Sequence, residues 1–146
     1  MPNPQKAKGT RWESEVVRYL RSVGFDEARR EVQRGARDVG DIGGFPLWAI
    51  EAKAYASVSH SVLADFVAQA NREARHAGKP FGIVVIKRPR HRTADGFVVM
   101  DLETWTRLER HLRDTDGDAN AVERSARQVR RRRLRDRRLP GPMPGA

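Results

Sequence analysis

Residues 41–53 read Asp41-Ile42-Gly43-Gly44-Phe45-Pro46-Leu47-Trp48-Ala49-Ile50-Glu51-Ala52-Lys53. Gly43 to Pro46 is turn material, and the runs on either side, residues 38–42 and 47–54, have the character of short extended segments. A strand, a turn and a second strand follow. Along a strand alternate side chains share a face, so Glu51 and Lys53 point one way while Ile50 and Ala52 point into the opposite layer. The turn returns the chain and brings Asp41 close to Glu51. Two acids and one ammonium are thus expected in one cleft of a sheet that the rest of the chain must cover.

Upstream, residues 28–34 form a third extended candidate, which makes a small meander. Before it, Trp12, Val16, Tyr19, Leu20 and Val23 recur at helical spacing and predict a helix over 11–23. Thr10 followed by Glu13 resembles a capping box, and Gly24 provides the stop. Downstream, Leu63, Phe66, Val67, Ala70 and Ala74 predict a helix over 61–76, closed by Gly78 and Pro80. Residues 81–86, Phe-Gly-Ile-Val-Val-Ile, are nearly continuous apolar chain, as in a strand buried on both faces. A short strand over 96–100 and a closing helix over 102–112, capped by Asp101, complete the order α-β-β-β-α-β-β-α. This is an α/β chain with a mixed sheet flanked by helices.

At 146 residues there is room for one ordinary domain, assigned to 6–112. From 113 the composition changes. Asp114-Thr115-Asp116-Gly117-Asp118 reads as a polar hinge, 124–138 is dense in arginine, and Pro140 to Gly145 has no core-forming pattern. Residues 113–146 are expected to be a basic tail, partly helical or disordered. It is either a solvated, self-repelling appendage or an accessory DNA contact.

The formal charge is +10 and the pI about 11.1, a field that attracts polyanions and favours nucleic acid as partner. Cysteine is absent, which excludes disulfides and Cys-ligated zinc; any metal must be held by oxygen or by a few histidines. Oxygen donors point to Mg²⁺ or Mn²⁺. His60, His76, His91 and His111 show no ligand spacing such as HExxH. There is no long apolar window and no apolar stretch at the start, so the expectation is a cytoplasmic protein with no membrane partner. No small-molecule cofactor is expected either.

Phosphodiester hydrolysis calls for the groups that the hairpin gathers. Asp41 and Glu51 would ligate the metal, helped by the Ala52 carbonyl, while Lys53 would contact the phosphate or orient the attacking water. Among nineteen acids and five lysines the tripeptide alone is weak. Its context is stronger, because charges are costly within an apolar strand unless paired or metal-bound. The plainer reading is an edge strand with a solvated Glu/Lys decoration. Glu13 either completes the cap with Thr10 or, bordering the core-facing side of its helix, reaches the cleft as a further metal-associated acid. Asp38 ranks second to Asp41. Arg29, Arg30, Arg34 and Arg37, with Lys87, Arg88, Arg90 and Arg92, are either phosphate contacts or a solubilising rim.

Lys8-Gly9-Thr10-Arg11-Trp12-Glu13, then Asp41-Ile42, then Ala49-Ile50-Glu51-Ala52-Lys53, resembles the archaeal-type Holliday junction resolvases and their phage-encoded relatives in the PD-(D/E)XK nuclease superfamily. The resemblance covers about residues 6–112. It implies a restriction-endonuclease-like α-β-β-β-α-β core and a catalytic set of Glu13, Asp41, Glu51 and Lys53. The implied reaction is Mg²⁺-dependent cleavage of branched DNA in recombination, repair or phage DNA processing, leaving 5′-phosphate and 3′-hydroxyl ends. It also implies a homodimer acting on a four-way junction. Gln69 matches a cleft glutamine of some members, or is a surface polar residue. Gly40 stands where the superfamily has its proline. A nuclease acting on ordinary duplex or flapped DNA shares all these residues; a non-catalytic DNA-binding protein would use the basic loops alone. An RNA-binding factor has little support, because the aromatic-rich strands of the common RNA modules are missing.

Overall fold

The structure, a computed structural model, describes residues 3–32 and 35–136. These divide into two compact units, one ending at Trp105 and one beginning at Thr106.

The first helix, α1 (Pro4–Ser22), starts a full two turns before the first apolar residue of its stripe. Asn3 is its N-cap, the Asn3 side chain accepting from the Gln5 N–H, and Pro4 takes the first turn, where a missing N–H costs nothing. Thr10 therefore lies inside the helix and cannot cap it, so the expected capping box with Glu13 does not exist. The helix ends as expected: Phe25 N donates to Leu20 O and Gly24 N to Arg21 O, with Gly24 at φ +100°.

Three antiparallel strands follow, β1 (Arg29–Arg30), β2 (Ile42–Gly43) and β3 (Trp48–Lys53). The meander is present, with its first two strands much shorter than expected. A turn of 3₁₀ helix, Gly35–Arg37, lies between them. Helix α2 (His60–His76), capped by Ser59, crosses to β4 (Phe81–Ile86), which lies parallel to β3 from Trp48↔Phe81 to Lys53↔Ile86. β5 (Phe97–Val99) pairs antiparallel to β4 and completes a five-stranded mixed sheet in the order β1-β2-β3-β4-β5.

Alternation on β3 and β4 separates two cores. Ile42, Ile50, Ala52 and Ile83 pack with Trp12, Val16 and Val17 of α1. Val84 and Ile86 pack with Phe66 and Ala70 of α2 on the other face. α1 is pinned by Trp12, 1 % exposed, whose Nε1 donates to the Val85 carbonyl at 3.0 Å. α2 comes close enough to the sheet that a Cβ on Gly82 would lie 2.4 Å from the Ala70 carbonyl oxygen.

The last helix, α3 (Leu102–Asp136), begins where Asp101 accepts from Thr104 N at 2.7 Å, the expected cap. It then runs unbroken through residues 114–118, where a hinge was expected. Asp and Gly each lower helix propensity by only about 0.5–1 kcal/mol, and pairs four apart, such as Glu109 with Arg113 and Glu123 with Arg127, lend support. No helix among the described residues is long and apolar enough to cross a membrane.

Candidate active site

Asp41 sits immediately before β2, its N–H donating to the Ile50 carbonyl at 2.8 Å. Gly40 makes that approach: its φ is +100°, and a Cβ there would be 3.0 Å from both the N and the O of Ile50. Proline, locked near φ −65°, is incompatible with this backbone, so a glycine is what the close approach requires. The Asp41 carboxylate turns across the strand pair and its Oδ2 accepts from the Ala52 N–H at 2.9 Å.

On β3, Glu51 and Lys53 share the face toward α2, as the alternation requires. Glu51 is 2 % exposed, and its Oε2 lies 2.7 Å from the Lys53 ammonium. That ammonium also donates to Gln69 Oε1 at 3.0 Å and stands 5.1 Å from the centre of the Phe66 ring. Gln69 in turn donates from Nε2 to Glu73 Oε1 at 2.9 Å. Gln69 thus faces the site. Glu73, 5 % exposed with its Oε2 unpartnered, was not anticipated. The signal was there: Phe66, Ala70 and Glu73 are spaced as one buried stripe, and an acid on such a stripe needs a reason.

Burial first, and then the charge of Glu51, pushes the Asp41 carboxyl up to about 7, against the Ala52 hydrogen bond, which lowers it. Burial and the adjoining Glu73 carboxylate push Glu51 up to about 8, opposed by Lys53. For Lys53, burial acts downward but is outweighed by Glu51, Asp41 and Glu73, so its ammonium is held above the usual range.

Asp41 and Lys53 open onto a cleft of about 640 Å³ also lined by Glu13, Glu31, Lys6, Arg30 and Tyr55. Glu13 therefore reaches the cleft from α1, where it pairs with Arg30 at 2.8 Å. Glu31 is a second acid that the sequence reading passed over. The pairing Arg30↔Ile42 puts it opposite Asp41, whose carbonyl accepts the Glu31 N–H at 2.8 Å. Asp38 is half-buried and does not line the cleft, and Glu51, expected there with Asp41 and Lys53, is buried and does not line it either.

Of the basic residues singled out, Arg30 lines the cleft. Arg29 pairs with Glu31 beside it at 3.1 Å, Arg37 is exposed, and Arg34 lies outside the described residues. The loop after β4 leaves the sheet at the same end as Lys53, since Lys87 N donates to the Lys53 carbonyl at 2.9 Å. Its side chains are engaged elsewhere. Lys87 pairs with Glu15 and lies over Trp12, Arg88 lies over Phe97, and Arg92 pairs with Asp95. Arg90 is exposed at φ +62°.

Among the described residues no three His, Cys, Asp or Glu side chains are gathered closely enough to hold an ion alone. In comparisons with known proteins, no family model, curated protein or solved structure matches the chain. The resemblance to the PD-(D/E)XK nucleases rests on its motif residues.

Proposed function

We propose that the chain is a Mg²⁺- or Mn²⁺-dependent endonuclease that hydrolyses phosphodiester bonds in DNA, with branched DNA such as the four-way junction as its preferred substrate and a homodimer as its working form. The observation that carries this reading is the buried Glu51 and the half-buried Asp41 beside Lys53. Both acids bind protons up to neutral pH or beyond, and Lys53 is already shared between Glu51 and Gln69. A divalent cation fits such a pair, because Mg²⁺ is commonly held by only one or two carboxylates and completes its shell with water and substrate phosphate. Asp41 and Glu51 would hold it, and when bound it supplies polarisation of the phosphate and an acidified water.

The chain's own residues do the rest. The Ala52 N–H fixes one Asp41 oxygen and leaves the other to the cleft. Lys53, charged and steered by Glu51 and Gln69, donates to a phosphate oxygen as negative charge builds on it. Arg30 and Lys6 on the cleft wall meet neighbouring backbone phosphates, and Arg30 can exchange its hold on Glu13 for one of them. The +10 charge speeds capture of the polyanion.

The test is cleavage of a labelled four-way junction, with linear duplex of the same sequence as control, in Mg²⁺ and in EDTA. Paired nicks at the junction in Mg²⁺ alone are expected. Equal cutting of the duplex would make it a general nuclease; salt-sensitive binding with no metal-dependent cutting would overturn the enzyme reading in favour of a DNA-binding protein.

A pH effect follows from the same pair. Folded, Asp41 and Glu51 keep protons that the unfolded chain releases near pH 4, so the metal-free protein loses stability as pH rises from about 4 through 7–8. Thermal unfolding in EDTA should show Tm falling across that window. Saturating Mg²⁺ should reduce the fall at pH 8.5, and Asp41→Asn should remove its share of it and leave the part that Glu51 contributes. A flat profile in EDTA would mean that the pair carries no such strain.

A further inference from the structure

The second compact unit carries a pattern that the cleft does not use. Along α3, Leu108, Leu112, Thr115, Ala119, Val122 and Ala126 recur at alternating spacings of four and three. That is the period of helices that pair along a seam, with 3.5 residues per turn. The seam faces water: Leu112 is 49 % exposed, Val122 71 %, and every described side chain from 110 to 128 is exposed. The charges beside it are unevenly placed. Asp114, Asp116, Asp118 and Glu123 come first, and Arg124, Arg127, Arg130 and Arg131 follow.

We propose that α3 is an interaction surface for a second copy of this chain, the two helices running antiparallel about a two-fold axis near residue 124. Charge decides both the partner and the direction. A parallel pair would set the two arginine segments side by side and put Asp118 against Glu123 of the second copy. An antiparallel pair lays the acidic segment of each helix along the arginine segment of the other. In the register that does this best, Val122 packs on Ala126 of the second copy, and Asp116 faces Arg130 of the second copy. Ala119 and Ala126 are small enough to let the helices approach closely. The two Glu123 side chains meet near the axis, each neutralised by its own Arg127 at 2.5 Å. The pairing deepens the homodimer of the proposed function, but it is argued from α3 alone and stands whether or not the chain cuts DNA.

Because the chain has no cysteine, a single introduced thiol reports direction cleanly. In the full-length protein, Ser125→Cys places two thiols beside the axis. Ala119→Cys places them about ten residues apart, roughly 15 Å along the helices at ~1.5 Å per residue. Light scattering of the wild type should give twice 16.6 kDa. A short bis-maleimide should cross-link Ser125→Cys and spare Ala119→Cys, and Val122→Glu with Ala126→Glu should yield monomer. A monomeric wild type would overturn the proposal, and so would a dimer that survives both glutamates. Cross-linking of Ala119→Cys in preference to Ser125→Cys would overturn the antiparallel direction.

Discussion

Glu51→Gln is expected to lower the single-turnover rate of Mg²⁺-dependent strand cleavage by about a thousand-fold, the scale at which removal of one charge-stabilising group is felt in a preorganised site. The amide keeps the shape of the side chain and an oxygen for Lys53, but it removes one of the two charges that would hold the cation. The same substitution should leave Tm at pH 8.5 at or above the wild-type value, because the wild-type carboxylate, buried and pushed up to about 8, is costly to ionise there. Loss of activity without loss of stability separates a chemical role from a structural one. Cleavage within tenfold of wild type would remove Glu51 from the site.

Trp12→Ala should cost about 3–5 kcal/mol in urea unfolding, the usual range for deleting a large buried aromatic. Trp12 fills the core between α1 and the sheet and gives its indole N–H to the Val85 carbonyl. Trp12→Phe, which keeps most of the apolar contact and loses the hydrogen bond, should cost less, about 1–2 kcal/mol. The alanine variant should also weaken cleavage, since Glu13 is the next residue of the helix that Trp12 anchors. A loss below about 1 kcal/mol would show that α1 is held by something other than this side chain.

The parts of this architecture that were legible in the sequence are those where burial imposes a period. Residues 81–86 are apolar throughout because β4 is covered by α1 on one face and α2 on the other, and the strand has those bounds. The placing of Glu51 and Lys53 on one face followed from a period of two. The start of α1 was not legible from its stripe, because residues 4–11 are exposed or half-buried and carry no apolar period; only Asn3-Pro4 announced it. β1 and β2 came out short because ladder pairing there is confined to Arg29↔Gly43, Arg30↔Ile42 and Ile42↔Ile50. The hinge reading of residues 114–118 gave local composition more weight than a long helix does. Glu31 and Glu73 escaped because their importance is set by register and by packing between elements, and neither quantity exists in one dimension.

The contact between α2 and the sheet at Gly82 sets a tolerance for the chemistry. Gln69 and Glu73 flank Ala70, whose carbonyl rests against the bare backbone of Gly82, so the acceptor of the Lys53 ammonium is located by main chain against main chain. Side chains settle into rotamers, but a backbone stop of this kind has no slack. Even one methyl at residue 82 would lift the helix by a good part of an ångström and carry Gln69 with it. The glycine acts as a datum surface from which the height of the lysine is measured, and it does so from the far end of its strand, without touching any of the groups it aligns.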